Sequence, residues 1–186
     1  MSPALGCSVC FLETSLAGAY VLEPERVQDE RGFFARAWDA RELEDRGLCG
    51  RWVQSSISFN AKAGTLRGMH YQVAPHEEVK LVTCTAGAVF DVVVDLRADS
   101  PTWRQWFAVE LTAGNGLALY VPAGFAHGFL TLEDGSTVEY HMSEAYDPAS
   151  ARGARWDDPA FAIRWPREPS TMSDRDRECP DVPSIR

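Results

Sequence analysis

A chain of 186 residues, 45% hydrophobic and 24% charged, is long enough to bury a full core without disulfide or metal staples. Its formal net charge of -9 excludes a general nucleic-acid binder, because such a surface repels phosphate backbones, yet a few local arginines suffice to hold a small phosphate-bearing ligand. No apolar run is long enough to span a bilayer and no basic, apolar leader is visible, so a cytoplasmic protein without a membrane partner is expected.

Five cysteines, Cys7, Cys10, Cys49, Cys84 and Cys179, form an odd and scattered set, the pattern of free thiols in a reducing compartment. Cys7 and Cys10 make a CxxC, but with no second pair they read as ordinary thiols. Residues 19–23 (AYVLE) and 33–38 (FFARAW) read as short strands around the polar turn QDERG. Residues 39–48 (DARELEDRGL) are expected to form a helix, with Asp39 as N-cap and Gly47 as its stop. From about residue 52 short strands take over. WVQSSISFN alternates, KLVTCTAGAVFDVVVDL breaks at Ala86-Gly87, and QWFAVEL, LALYVP, GFLTL and STVEYHMS follow. Gly, Pro and Asn fall between them. This spacing predicts an all-β jelly roll with short peripheral helices. One domain over residues 1–186 is expected, its core at about 50–145, with the N-terminal strands and helix and a loop-rich C-terminal tail packed on it.

On the strand at 88–96, Ala88, Phe90, Val92, Val94 and Leu96 share one face, and Val89, Asp91, Val93 and Asp95 the other. Two carboxylates on one face read as a solvated face. The other reading is that one of them orients a histidine inside a pocket.

The stretch GTLRGMHYQVAPHEEVKLV, residues 64–82, concentrates the candidate chemistry. The cupins, small metal-binding jelly rolls (double-stranded β-helices), use two motifs. GLALYVPAGFAH resembles the second, G-x5-P-x-G-x2-H, from Gly116 through Pro122 and Gly124 to His127. The first fits only in outline. Gly64 and His70 match, but Gln72 stands where the second histidine belongs, and Lys80 stands where the motif wants its glutamate. An ammonium in a ligand set repels a divalent cation. His76, Glu77 and Glu78 are the substitute donors if a metal is held after all. The expectation is a cupin-like pocket with no metal. There His70 accepts a proton from carbon beside a carbonyl, Lys80 holds the enolate, and Tyr140 returns a proton.

Together GTLRGMHYQ, KLV, VFDVVVDLR, SPTWRQW, VPAGFAHGF, EAYDP and RGARWDDPAFAIRWP resemble the dTDP-4-dehydrorhamnose 3,5-epimerase family, from about residue 18 to 178. The resemblance implies a jelly roll that forms a homodimer through β-sheet contact, no metal or redox cofactor, and a nucleotide-linked 4-keto-6-deoxyhexose as substrate. It implies His70 as the base, Lys80 as the enolate-stabilising cation and Tyr140 as the acid. It also implies Asp176 as the partner of His70, with Asp174 as a rival. His127 and Asp91 are similar to a second histidine–carboxylate set lining the pocket. Arg31 and Arg67 look like diphosphate ligands, and Phe33, Gln54 and Tyr146 like substrate-lining residues. Arg36 stands where the family has glutamate, Ser56 where it has asparagine, and the loop VAPHEEVK departs from the common QGKLV context. The nucleotide (dTDP, GDP or CDP) and the choice of C3, C5 or both stay open at this point. So do three rivals: a metal-dependent cupin enzyme, a 3,4-ketoisomerase, and a binding module with a decayed site.

Overall fold

The computed structural model describes residues 8–182, which form strands joined by turns, with two short helices. Of the CxxC pair, Cys7 lies outside the described residues. In chain order the elements are β1 (Val9–Glu13), β2 (Tyr20–Pro24), β3 (Arg26–Asp29), β4 (Gly32–Ala35), α1 (Ala40–Glu44), β5 (Gln54–Asn60), β6 (Leu66–Gln72), β7 (Lys80–Ala86), β8 (Ala88–Asp95), β9 (Trp106–Thr112), β10 (Ala118–Val121), β11 (Phe125–Thr131), β12 (Ser136–Met142), β13 (Ala151–Gly153) and α2 (Asp174–Arg177). β1-β2-β10-β7-β12-β5 form one sheet and β13-β6-β11-β8-β9 a second, with antiparallel pairing throughout. Spatial neighbours are mostly distant in sequence, which is the expected jelly roll.

The two sheets close on a shared core. Val82, Leu119, Val121 and Val138 from the first meet Val89, Val93, Leu111, Phe125 and Phe129 from the second. The outer faces are covered as well. Leu43 of α1, with Trp38 and Trp52, covers Leu22, Leu81 and Ala118, while Phe161 and Trp165 of the tail cover Val92, Val94 and Ala126. No helix among the described residues is long and apolar enough to cross a membrane.

β8 therefore runs between two apolar layers, and the face expected to be solvated is not. Asp91 and Asp95 are both fully buried. Hydrogen-bond partners make this tolerable. Asp95 takes Arg97 Nε at 2.9 Å and Nη2 at 2.7 Å, with the hydroxyls of Ser100 and Thr102 at 2.5 and 2.7 Å. Burial pushes its pKa up, but these bonds outweigh burial and bring the carboxyl down to about 2.

The N-terminal region differs from the sequence reading. The strand expected at 33–38 ends at Ala35, and its hairpin partner is Arg26–Asp29, whereas Tyr20–Pro24 pairs with β1 and β10. The helix is only Ala40–Glu44. Asp39 caps it as expected, accepting from the Arg41 and Glu42 amides at 2.9 and 3.4 Å. Arg36 is spent on this cap, 3.5 Å from Asp39 and 3.8 Å from Glu42.

Candidate active site

β6 and β11 are adjacent, and their register sets His70 opposite His127. Two glycines bring the strands together. A Cβ on Gly68 would lie 2.5 Å from Gly128 Cα, and Gly68 has φ +139°, a conformation that side chains other than hydrogen disfavour. The register slips between His127 and Phe129, the mark of a bulge, and bulges re-aim the side chains beside them.

Each histidine meets its own carboxylate. His70 Nε2 lies 2.7 Å from Asp176 Oδ1. Asp176 sits on α2, whose N-cap Ser173 accepts from the Asp176 amide at 3.1 Å, and its Oδ2 accepts from the Gly68 amide at 3.4 Å. Burial alone would raise the Asp176 pKa. The bond from His70, followed by those involving Gly68 and Ser173, overcomes burial and holds the carboxyl below the usual range. An ionised carboxylate only accepts, so Nε2 of His70 carries the hydrogen and Nδ1 is left as the basic nitrogen. Asp174, the rival partner, points away and pairs with Arg177 at 3.7 Å. His127 Nε2 lies 2.9 Å from Asp91 Oδ1, so the reading in which one carboxylate of β8 orients a histidine holds for Asp91.

The facing sheet supplies Lys80, at the start of β7, and Tyr140 on β12. Lys80 is buried; its Nζ donates to the His70 carbonyl at 3.2 Å and pairs with Glu78 Oε1 at 2.9 Å. The Tyr140 ring stands edge-on to His127, centroids 6.0 Å apart. Burial first, and then the charge of Asp91, hold its phenol far above the usual range despite the Arg67 guanidinium. Tyr140 is therefore a protonated donor at any working pH.

These side chains wall a cavity of about 420 Å³ between the sheets. Arg67 lines it with Nε donating to Asn60 Oδ1 at 2.7 Å. Gln54 and Tyr146 line it too, the Gln54 carbonyl accepting from the Tyr146 amide at 3.1 Å. Ser56 also lies in the wall, 3.4 Å from Gln54 Nε2. The structure does not bring Arg31 or Phe33 here. Arg31 sits exposed in the β3–β4 turn and pairs with Asp29, and Phe33 lies against the Arg26 guanidinium on the same hairpin. No residue of the hairpin lines the cavity of its own chain.

Four charged lining residues escaped the sequence reading: Glu78 as the partner of Lys80, Glu144 after β12, Arg152 on β13 and Arg175 on α2. Glu78 had a local signal, since an E-x-K spacing on extended chain sets both side chains on one side. The arginines had none beyond their place in the tail. Gln72, at the vacated histidine position, ties down the loop after β12. Its amide donates to the His76 and Ala145 carbonyls at 2.8 and 3.2 Å and its carbonyl accepts from the Asp147 amide at 2.7 Å. The substitute metal donors do not converge. His76 faces Glu144 at 3.6 Å, Glu78 is on Lys80, and among the described residues no group of three or more His, Cys, Asp or Glu side chains is placed to hold an ion.

The family model for dTDP-4-dehydrorhamnose 3,5-epimerase matches residues 13–183. A dTDP-4-dehydrorhamnose 3,5-epimerase of Sinorhizobium fredii is 40% identical over 92% of this chain and 89% of its own. The crystal structure of dTDP-4-dehydrorhamnose 3,5-epimerase from Bacillus anthracis, with TDP and PPi bound, superposes with a TM-score of 0.90 at 41% identity, over 94% of this chain and all of that one. That of the Legionella pneumophila 3,5-epimerase in complex with dTDP-4-keto-L-rhamnose gives 0.87 at 36% identity, over 94% and 93%. With this likeness running over more than nine-tenths of its length, the chain belongs to the dTDP-4-dehydrorhamnose 3,5-epimerase family of isomerases.

Proposed function

We propose that this protein is a cofactor-independent epimerase that inverts C3, C5 or both in a nucleotide-linked 4-keto-6-deoxyhexose, with dTDP, the nucleotide its relatives are named for, as the carrier. The observation that carries this is the His70–Asp176 pair facing Lys80 and Tyr140 across one cavity. The C4 ketone acidifies hydrogens on C3 and C5. His70, with Nδ1 free, removes such a proton, and Asp176 stabilises the imidazolium that forms. Lys80 holds the enolate oxygen. Tyr140 delivers a proton from the opposite side, which inverts the carbon. His127, held by Asp91, lines the sugar site, and Gln54 and Tyr146 line its mouth. Arg67 binds the diphosphate, where a guanidinium fork suits phosphate oxygens, and Arg152 and Arg175 add positive charge to the same cavity.

A homodimer completes the proposal. β5 is an edge strand, and Ile57 and Phe59 on it are 72% and 64% exposed, as an unpartnered sheet edge in a soluble protein seldom is. Phe33 and Phe34 on the hairpin are also exposed. In such a pair Arg31 and Phe33 keep a substrate role by serving the second copy. The free thiols of Cys10, Cys49, Cys84 and Cys179 support a reducing, cytoplasmic setting.

The test is proton exchange in heavy water with a panel of 4-keto-6-deoxy sugars on dTDP, GDP and CDP. Exchange and inversion on the dTDP sugar, unchanged by excess chelator, is the expected result. Failure of every sugar to exchange at C3 or C5 overturns the reading.

A further inference from the structure

Tyr146 lies between β12 and β13 in the wall of the cavity, and 55% of its surface is exposed. Packing therefore does not hold its ring in place. The backbone around it is held instead, by two glutamine side chains. Gln54 accepts from the Tyr146 amide at 3.1 Å. Gln72, at the end of β6, bonds on both sides of the tyrosine. Its Nε2 donates to the Ala145 carbonyl at 3.2 Å, and its Oε1 accepts from the Asp147 amide at 2.7 Å. One side-chain amide thus makes the two bonds that the peptide group of a neighbouring strand would make. Nε2 also donates to the His76 carbonyl at 2.8 Å, which joins the loop after β6 to the loop after β12. Gln72 is only 6% exposed, and both its N–H groups and its carbonyl are engaged within the protein. It has no donor left for a ligand, so it serves a ligand through the loops it holds.

We infer that Gln72 is a positioning residue that presets Tyr146 for the nucleotide end of the substrate. This rests on the epimerase reading above, in which a nucleotide-linked sugar fills the cavity with its reacting carbons at His70. The nucleotide then lies at the mouth, where an exposed aromatic ring offers a face to a base. A loop ordered in advance loses less freedom on binding, so affinity is higher. Removing the amide weakens binding and leaves the proton transfers at His70 and Tyr140 as they were.

The experiment measures Kd for dTDP, GDP and CDP by calorimetry, and kcat and KM for deuterium exchange into the matching 4-keto-6-deoxy sugars. Gln72→Met keeps the length of the side chain and removes its amide. For the nucleotide that wild type binds most tightly, it is expected to raise Kd and KM by about five- to thirtyfold, the effect of ordering one or two loop side chains, and to leave kcat within about twofold. Tyr146→Ala raises both at least as far, and adding Gln72→Met to it raises them no further, because the amide then has no ring to set. Losses that add overturn the inference. So does a fall in kcat at unchanged KM, which marks Gln72 as a support for His70 on the same strand. A wild type that binds none of the three diphosphates overturns it too. Gln72→Leu takes the place of the methionine form if that form does not fold. Failure of both to fold also overturns the inference, since Gln72 then holds the body of the chain and not its mouth. Weaker, non-additive binding with no exchange on any sugar leaves Gln72 assigned and defeats the epimerase reading. Exchange at unchanged Kd and KM does the reverse.

Discussion

His70 and His127 stand opposite one another across the β6–β11 ladder, and each gives its Nε2 to a different carboxylate, Asp176 at 2.7 Å and Asp91 at 2.9 Å. The two are not equivalent. His127 is buried, with Tyr140 edge-on to its ring, whereas the side chain of His70 is 39% exposed. A base needs access to the carbon it deprotonates, and His70 has it.

His70→Ala is therefore expected to lower solvent deuterium incorporation at C3 and C5 by about 10²–10⁴-fold, the usual contribution of a positioned base. The variant also leaves the buried Asp176 without that partner, so a fall in the thermal midpoint accompanies the loss, and circular dichroism checks that the fold is kept. Exchange at the wild-type rate removes His70 from the mechanism.

Tyr140→Phe separates the two half-reactions. Deprotonation by His70 persists, so the label still enters, but inverted product falls sharply. Since the phenol is held far above its usual range, no loss of inversion rate through phenol ionisation is expected up to about pH 10. Nuclear magnetic resonance of the product measures both effects, and full inversion by the phenylalanine variant excludes Tyr140 as the acid.

Lys80 and Glu78 are buried as a pair, so removing one strands the other. Lys80→Ala is expected to cost about 3–5 kcal/mol in urea unfolding, as for other buried ion pairs broken on one side. Its exchange rate falls by about 10²–10³-fold. The double variant Lys80→Ala/Glu78→Ala recovers most of the stability and none of the rate. A single variant as stable as wild type contradicts the buried pair.

Asp95 ties stability to acid. Its folded pKa of about 2 lies below that of the unfolded chain, so its contribution is complete above about pH 4 and is lost as pH falls toward 2. The shift corresponds to about 2 kcal/mol. Asp95→Asn should unfold more readily than wild type by roughly that amount at neutral pH, and the gap should close near pH 2. A gap that does not change with pH would assign the cost to shape instead of charge.

Ile57→Glu combined with Phe59→Glu tests the proposed dimer. Sedimentation velocity should show the wild-type dimer giving way to monomer, with the described fold intact by circular dichroism. A variant that stays dimeric moves the interface off β5.

Where strands alternate cleanly, as at 80–96 and 136–143, the sequence pattern and the observed elements agree. β6 lacks a strand pattern in the sequence although it carries His70. The glycine pair it makes with Gly128 and the bulge beside it break the period of two, so that Gly68 and Met69 are buried in succession. The Asp91–Asp95 face looked solvated because the groups that neutralise it, His127 for one and Arg97 with two hydroxyls for the other, are not visible in strand periodicity. Motif comparison brought Lys80, Tyr140 and Asp176 together on paper. Their distances, and the absence of Arg31 and Phe33 from the cavity, depend on how the sheets close, which no local pattern encodes.

Asp176 reaches His70 from 106 positions further along the chain, on a helix of four residues beyond the last strand. A growing polypeptide thus acquires all of the described strands before it acquires the carboxylate that holds His70. Proteolysis just ahead of α2, past the Phe161 and Trp165 that cover the second sheet, would take away that anchor and leave those two side chains in place.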